Sequence, residues 1–270
     1  MSLLKIQKKF HRIKTLFILI PIIFSSCDFA SRIHKQILNA QKLLRDFKYE
    51  EAVLEYEKVL KRVPTSSLKS KIYFQLGDIY NLYLNDYKKS VYYFEKVVSE
   101  SSDPRWKIQA KEKLAKIYLD HRNFKKSEEY YKQLYDFFPK LDNRDFYQMG
   151  VGISLLEQRS LKKAEEVFKE IISQKDHSFK NKAHYYLGLV KFNSKKWEEA
   201  IDHWWDYLKK ETKKSEIIET KLLLANAYET MEELKKAYDI YYSLLGEYPN
   251  SKVIKNRLKS VYRRRIDRKR

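Results

Sequence analysis

Apolar, small and aromatic residues recur along the chain in a fixed order from about residue 33 to residue 250. The first small residues of successive units are 37, 38, 37, 36 and 37 residues apart by subtraction. They are Ala40, Gly77, Ala115, Gly152, Gly188 and Ala225. A second small residue follows twelve residues later, or thirteen in the second unit: Ala52, Ser90, Ser127, Ala164, Ala200 and Ala237. An aromatic residue follows four residues after that: Tyr56, Phe94, Tyr131, Phe168, Trp204 and Tyr241.

This order predicts a helix-turn-helix unit that occurs six times. Two antiparallel helices approach closely only where their side chains are small, so we expect the two small residues of each unit to face each other. We expect the aromatic residue, one turn later, to fill the gap against the next unit. A single pair cannot bury its apolar face alone, so the units must stack. The predicted fold is all-α, with units at 33–66, 70–104, 108–141, 145–178, 181–214 and 218–251.

The fourth unit offers two candidates for its first small residue, Gly150 and Gly152. Gly152 is preferred because a step of twelve residues from it reaches Ala164. After the sixth unit, residues 251–270 predict an amphipathic capping helix, which covers the open face of the last pair, and a basic tail that we expect to be frayed.

The offsets between the small and aromatic residues resemble those of the tetratricopeptide repeat (TPR). The resemblance covers essentially the whole chain after Cys27. Proline, which cannot continue a helix, closes three of the units, at Pro64, Pro139 and Pro249. The resemblance implies a right-handed superhelical solenoid of about six helix-turn-helix repeats.

Residues 1–26 have the three parts of a secretory signal peptide. Five basic residues and no acidic residue precede the apolar run 16–24, and two serines follow it. The run contains Pro21 and has about half of the roughly 20 apolar residues that a membrane-spanning helix needs. We therefore expect no stable membrane span from this segment.

The end of the apolar run resembles the lipobox of bacterial lipoproteins. Ser25 and Ser26 precede Cys27, the single cysteine of the chain, and Phe24 stands where leucine is most common. The resemblance implies that Cys27 is acylated and becomes the first residue of the mature protein, with 27–32 as a short linker. Two or more acyl chains would hold it firmly to a membrane. An ordinary cleavable signal, or an uncleaved anchor with an incidental cysteine, is the alternative.

The chain is strongly basic, with 56 Lys+Arg against 36 Asp+Glu. Without the five basic residues of the signal, 51 − 36 leaves a net charge of +15. Basic residues are spread over all the predicted helices and no nucleic-acid-binding motif is found, so we do not expect nucleic acid as a partner. The charge is compatible with anionic lipid, peptidoglycan or an acidic protein surface.

The sequence contains no motif that indicates catalysis. There is no phosphate loop, GxGxxG or HExxH, and the six histidines have no metal-ligand spacing. We therefore expect a non-enzymatic protein without a cofactor or metal. Three acidic pairs are interpreted as charges at the N-terminal ends of second helices: Glu128-Glu129, Glu165-Glu166 and Glu198-Glu199. An enzyme or enzyme-associated module that acts on the cell wall is the alternative of a different class.

The concave face of TPR proteins is built from fixed places of the first helix in each repeat. In the first unit, the resemblance places His34, Ile37, Gln41 and Arg45 there, without the Lys and Asn with which TPR co-chaperones bind a terminal carboxylate. In the fourth and fifth units it places an apolar set that we expect to face water: Phe146, Met149, Ile153, Tyr185, Leu189 and Phe192. Contiguous exposed apolar groups indicate a binding groove for an extended peptide or an amphipathic helix. The alternative is that the fourth unit has a different phase, or that the capping helix or the curvature of the chain covers these residues.

These features predict a lipid-anchored periplasmic scaffold that binds protein partners. It resembles BamD, the lipoprotein of the outer-membrane β-barrel assembly machinery, whose repeats directly follow the lipidated cysteine. The segment 248–251, YPNS, resembles the YPxS ending frequent in that family and in the Tol-Pal coordinator. A pilotin-like or Tol-Pal-type assembly factor, or a peptidoglycan-associated module, is the alternative. The resemblance favours the outer membrane, whereas Asp28 after the lipidated cysteine is an inner-membrane retention signal in enterobacteria.

Overall fold

A computed structural model describes residues 31–63 and 66–268 of the chain. Within these ranges all regular structure is helical, in thirteen helices, and no strand is found. The helices are α1 (31–45), α2 (Tyr49–Leu60), α3 (Ser66–Leu82), α4 (Tyr87–Glu100), α5 (Pro104–Asp120), α6 (Phe124–Tyr135), α7 (Arg144–Glu157), α8 (Leu161–Ser173), α9 (Lys180–Asn193), α10 (Trp197–Leu208), α11 (Lys214–Thr230), α12 (Leu234–Ser243) and α13 (Ser251–Asp267). None of these helices is long and apolar enough to cross a membrane. The predicted signal peptide and Cys27 lie outside the described residues.

The helices belong to two compact units, which divide between Leu114 and Ala115, within α5. In the first unit, the core includes buried side chains of α1, α2, α3 and α4, among them Tyr56 and Leu76. In the second unit, a buried cluster around Phe168 lies among α7 to α9, one around Trp204 among α9 to α12, and one around Tyr241 among α11 to α13. The all-α prediction is therefore confirmed, and each predicted repeat holds one helix pair.

The turns between the two helices of each pair are alike, except that the turn of the second pair is one residue longer. One residue in every turn has a positive φ, between 51° and 62°, and none of the six is glycine. These residues are Phe47, Asn85, Arg122, Arg159, Lys195 and Glu232. In the fifth pair, the Lys196 N–H donates to the Lys191 carbonyl at 2.9 Å and the Lys195 N–H to the Phe192 carbonyl at 3.0 Å. A left-handed residue with these two bonds satisfies the last carbonyls of the first helix and starts the second.

The second pair explains the one irregular step in the sequence repeat. Its turn contains one more residue, because the Asp86 N–H reaches back six residues to the Tyr80 carbonyl, at 2.9 Å. The Asp86 side chain then accepts a hydrogen bond from the Lys89 N–H and caps α4. The step of thirteen residues is therefore absorbed in the turn, and Ser90 keeps its place on the second helix.

The small residues of a pair face each other, as predicted. The Ser90 hydroxyl donates to the Gly77 carbonyl at 2.9 Å. The Ser127 hydroxyl makes the same bond to the Ala115 carbonyl, also at 2.9 Å. Both serines are fully buried, so these bonds satisfy hydroxyls that would otherwise be costly to bury.

The aromatic residue of the second helix packs against the small residue of its own pair, which corrects part of the prediction. A Cβ atom on Gly152 would lie 2.6 Å from the Phe168 ring, and one on Gly188 would lie 2.4 Å from Trp204 Nε1. The next pair closes the other side: Tyr186 stacks on Phe168, with ring centroids 5.6 Å apart. The ring therefore lies between two repeats instead of facing only the next one.

The two glycines of α7 have different partners. Gly152 contacts Phe168 of the same pair, which is the contact made by the first small residue of a unit. A Cβ on Gly150 would lie 2.7 Å from the ring of Tyr131, an aromatic residue of the preceding pair. Gly152 therefore holds the repeat position, and Gly150 makes room for the neighbouring repeat.

The identity of the small residue follows the identity of the aromatic residue in all six pairs. Glycine pairs with phenylalanine or tryptophan: Gly77 with Phe94, Gly152 with Phe168 and Gly188 with Trp204. Alanine pairs with tyrosine: Ala40 with Tyr56, Ala115 with Tyr131 and Ala225 with Tyr241. The three glycines leave no space for a Cβ beside their aromatic partners.

The capping helix α13 continues to Asp267, so the predicted frayed tail is helical over most of its length. Arg264 donates to Glu229 at 2.9 Å and also pairs with Glu232, and Arg268 pairs with Glu232 at 2.8 Å. Glu229 is 9% exposed and also accepts a hydrogen bond from the Tyr241 hydroxyl at 2.8 Å. These bonds hold the basic end of α13 against the end of α11, because burial strengthens charged hydrogen bonds.

Of the three acidic pairs, only the one that contains Glu199 lies in the first turn of its helix. Glu165 lies further along α8 and pairs with Lys169 at 2.6 Å and with Lys191 at 2.8 Å. The hydrogen bonds from these two ammonium groups lower the pKa of Glu165 to about 2. Lys191 is 2% exposed and pairs with Glu199 as well. The carboxylates therefore neutralise a buried lysine between repeats, a role that the helix-dipole interpretation missed.

We expect Gly188→Ala to destabilise the protein by about 1 to 3 kcal/mol, because the added methyl group displaces the Trp204 ring. Thermal unfolding of the full chain in detergent, followed by circular dichroism, measures the loss. The double variant Gly188→Ala/Trp204→Tyr should recover part of it, since alanine pairs with tyrosine in three other repeats. A single variant as stable as the wild type would contradict this packing.

Candidate functional site

The predicted apolar groove of the fourth and fifth repeats is exposed to water at Phe146. Its side chain is 46% exposed. The ring is 5.9 Å from the ring of Tyr131, 6.0 Å from Tyr147 and 6.2 Å from Phe179, measured between centroids. Phe146 thus lies at the surface of an aromatic cluster that supports it from beneath.

Met149 is buried, with 4% exposure, and this corrects the expectation that it faces water. It belongs to a core cluster with Phe168 and Leu187, on the side of α7 that packs against α8 and α9. Ile153 and Leu189 are half-buried and pack against the same cluster. The periodicity placed Met149 one turn from Phe146, but the close approach of the helices at Gly150 and Gly152 encloses it.

Tyr185 and Phe192 are half-buried around Trp204. The Tyr185 carbonyl accepts a hydrogen bond from Trp204 Nε1 at 3.1 Å, and the ring centroids of Phe192 and Trp204 are 5.8 Å apart. Burial raises the pKa of the Tyr185 hydroxyl, and the nearby carboxylates of Glu219 and Glu216 raise it further. Both residues therefore pack against the core of the fifth repeat, and only part of each side chain is accessible to a ligand.

An apolar groove lies in the first unit, between α1 and α3. Its volume is about 520 Å³. We call it the first groove, and it is lined by Ile33, His34, Ile37, Leu38, Gln41, Tyr56, Leu68, Lys71, Ile72 and Gln75. The floor consists of buried side chains, Tyr56 at 2% and Ile72 at 2% exposure, whereas Leu38 on the wall is 48% exposed.

The rim of the first groove is polar. His34 and Gln41 line it on α1, and Lys71 and Gln75 line it on α3. Apolar walls with a few polar groups at the edge are typical of sites that bind an apolar peptide segment and fix its orientation. Lys71 is exposed and gives the rim a positive charge.

The positions of His34, Ile37, Gln41 and Lys71 in the sequence repeat predict that they lie on the concave face, and all four line the first groove. The sequence analysis predicted the apolar binding groove in the fourth and fifth units instead. The spacing of the small and aromatic residues contains no signal that marks Leu38 as exposed.

One cluster among the described residues has the composition of a metal site. His184, His203 and Asp206 bring their ligand atoms within 4.8 Å of one another. The two histidines are nineteen residues apart in the sequence, which is why the search for ligand spacing did not detect them.

Comparison with known proteins identifies the repeat. Residues 70–104 and residues 219–251 each match a model of the tetratricopeptide repeat. No curated protein matches the sequence of the chain. The chain therefore contains tetratricopeptide repeats, and its helix pairs form a scaffold suited to protein–protein interaction.

Several solved structures have the same fold. PilW, a widely conserved type IV pilus biogenesis factor, is 18% identical with a TM-score of 0.56, over 85% of this chain and 98% of PilW. PilF of Pseudomonas aeruginosa is 13% identical with a TM-score of 0.53, over 87% of this chain and 99% of PilF. YrrB, a TPR protein with an unusual peptide-binding site, is 18% identical with a TM-score of 0.51, over 67% of this chain and 91% of YrrB. At these identities the similarity shows the fold.

We expect Phe146 and Phe192 to respond differently to substitution by serine. Phe192→Ser removes a half-buried ring from Trp204 and should cost about 1 to 3 kcal/mol, less than for a fully buried ring. Phe146→Ser should cost less than about 1 kcal/mol, because nearly half of the side chain is already in water. Thermal unfolding of both variants measures the difference, and a larger loss for Phe146→Ser would contradict the described packing.

Proposed function

We propose that the chain is a non-enzymatic, lipid-anchored adaptor on the periplasmic side of the bacterial envelope, and that it binds protein partners through the first groove. The observation that carries the proposal is the composition of that groove. Buried apolar side chains form its floor, Leu38 is exposed on its wall, and polar groups lie only at its rim. An exposed apolar groove on a repeat scaffold is costly in water unless a partner covers it.

The chemistry of the groove favours an apolar peptide segment or amphipathic helix with acidic flanks. Apolar side chains of the partner would contact Ile37 and Leu38, and an acidic group would pair with Lys71. The net charge of +15 after removal of the signal attracts the same class of partner over longer range. Peptidoglycan is the alternative acidic partner to such a protein segment.

The anchor is argued from the sequence. A basic segment, an apolar run and two serines precede the single cysteine, Cys27. The linker 27–32 is short, so an acylated Cys27 would hold the first repeat close to the membrane surface. The outer membrane is the proposed location by resemblance to the BamD family, and Asp28 makes the inner membrane the alternative.

Replacement of Leu38 by a photo-crosslinking amino acid tests the groove in cells. We expect an adduct with one defined protein, and none from the matched position Leu54, which is 56% exposed on α2 outside the groove. Lys71→Glu should reduce the adduct at least fivefold, whereas Lys61→Glu, at the exposed residue that directly follows α2, should not. Equal adducts at both positions, or retention on purified sacculi without a protein adduct, would contradict the proposal.

Cys27→Ala tests the anchor. We expect the wild-type chain to incorporate labelled palmitate and to partition into the detergent phase, and the variant to lose both properties because no other cysteine is present. Fractionation of inner and outer membranes then locates the wild-type chain. A variant that stays in the detergent phase would identify an uncleaved apolar anchor instead.

The last part of the proposal concerns the assembly process in which the protein takes part. A role in β-barrel assembly, as for BamD, predicts that depletion of the chain lowers the level of outer-membrane β-barrel proteins. A role in type IV pilus assembly is the second candidate, because the fold matches PilW and PilF over nearly their whole lengths. In that case depletion should leave β-barrel proteins unchanged and reduce secretin multimers.

A further inference from the structure

We propose that His184, His203 and Asp206 form a binding site for a divalent transition-metal ion of the Zn²⁺ class in the fifth repeat. His184 belongs to α9, and the other two residues belong to α10. The site does not involve residues of the first groove, which lies in the other unit. It therefore adds a ligand to the protein independently of the proposed partner.

The two imidazoles have the separation that a shared metal ion requires. His184 Nδ1 is 3.4 Å from His203 Nδ1. Zinc binds histidine nitrogen at about 2.0 to 2.1 Å in a tetrahedral site, which places two such nitrogens about 3.3 to 3.4 Å apart. An ion could thus bind both nitrogens with little movement of either helix.

Asp206 provides the third ligand. Its Oδ2 is 3.9 Å from His184 Nδ1, about half an ångström more than a tetrahedral site requires. The side chain is 44% exposed, so a small rotation can close this distance. Its other oxygen, Oδ1, accepts a hydrogen bond from Lys209 at 2.7 Å, which orients Oδ2 toward the histidines in the manner of an outer-shell partner.

The electrostatic surroundings keep the two imidazoles available as ligands. Burial lowers the pKa of His184, and His203 lowers it further; burial and then Lys191 lower the pKa of His203. The neutral imidazole that binds metals is therefore favoured. The other charged groups that act on the pair are Lys180, Lys210, Glu199, Asp202 and Asp206. Lys191 itself is paired with Glu165 and Glu199, which reduces its repulsion of a cation.

The repeat register explains why these three side chains meet. His184 lies four residues before the small residue Gly188, and His203 lies one residue before the aromatic Trp204. The same two places in the second repeat hold Tyr73 and Tyr93, whose ring centroids are 6.1 Å apart. Side chains at these two places therefore face each other in the second and in the fifth helix pair.

Asp206 defines a third place, two residues after the aromatic residue. The fifth repeat is the only one of the six in which all three places hold side chains typical of zinc sites. The other repeats have Gln36, Glu55 and Lys58; Tyr73, Tyr93 and Lys96; Lys111, Tyr130 and Gln133; Gln148, Val167 and Glu170; and Lys221, Ile240 and Ser243. The three ligands are therefore a special feature of one repeat on a common framework.

The ligand set selects the class of metal. Two imidazole nitrogens and one carboxylate oxygen suit zinc and neighbouring transition metals, whereas Mg²⁺ and Ca²⁺ prefer oxygen alone. Three protein ligands leave a fourth tetrahedral position for water. An ion bound by the three side chains would link α9 to α10.

Titration with ZnCl₂ tests the site on the full chain in detergent, after chelator treatment to remove metals. We expect isothermal calorimetry to give one zinc ion per chain. His184→Gln and His203→Gln should each weaken binding at least tenfold, and Asp206→Asn should also weaken it. His121→Gln replaces a histidine outside the cluster and should bind zinc as the wild type does.

Two further measurements separate this site from a simple hydrogen bond between neutral imidazoles. Co²⁺ should give the visible absorption of a tetrahedral site in the wild type and in His121→Gln, but not in His203→Gln. Zinc should also raise the unfolding temperature of the wild type and of His121→Gln, but not that of His203→Gln, because an ion that binds the folded state stabilises it. Absence of stoichiometric zinc binding by the wild type, or unchanged binding by the His184→Gln/His203→Gln double variant with native circular dichroism, would overturn the proposal.

Discussion

The close approach of the two helices in each pair is the constraint on which the rest of this structure depends. It requires a small residue on the first helix, because an aromatic ring of the second helix occupies the volume that a larger side chain would fill. At Gly188, the Trp204 indole lies closer to the backbone than a Cβ would allow. The indole N–H then donates to the Tyr185 carbonyl of the same pair. One contact thus fixes both the distance between the helices and their register along each other.

That register decides which side chains remain available for binding. On α1, Ile37 and Leu38 line the first groove together with residues of α3. In the fifth pair, the same register brings His184 opposite His203. The groove and the histidine pair therefore have a common origin in helix packing, although they have different chemistry.

The fold was predictable because its determinants are local and repeated. Six small residues and six aromatic residues at constant offsets are sufficient to define the helix pairs, and even the extra residue before Ser90 was visible in the spacing. The site was less predictable. Met149 has the sequence position of a surface residue, but its burial depends on how closely α7 approaches its neighbours at two glycines. Such distances are three-dimensional quantities that periodicity does not contain.

The histidine pair is the converse case, because here the structure brings together two residues that the sequence analysis did not connect. His184 and His203 are nineteen residues apart and match no ligand motif, so a search by spacing alone excluded them. A search by repeat position would have found them, because the places before the small residue and before the aromatic residue also face each other in the second pair. In a repeat protein, the position within the unit is thus a better guide to proximity than separation along the chain.

The position of the histidine pair also connects it to the contact that holds the fifth repeat together. His184 precedes Tyr185, whose carbonyl accepts the hydrogen bond of Trp204, and His203 precedes Trp204 itself. A metal ion that links the two histidines would therefore restrain the same two stretches of backbone that the tryptophan contact joins. Binding of the ion and packing of the ring would favour one helix register together, so each would strengthen the other. A metal bound there would act chiefly on the rigidity of the α9–α10 pair, and through Tyr185 and Phe192 on the apolar edge that this pair presents.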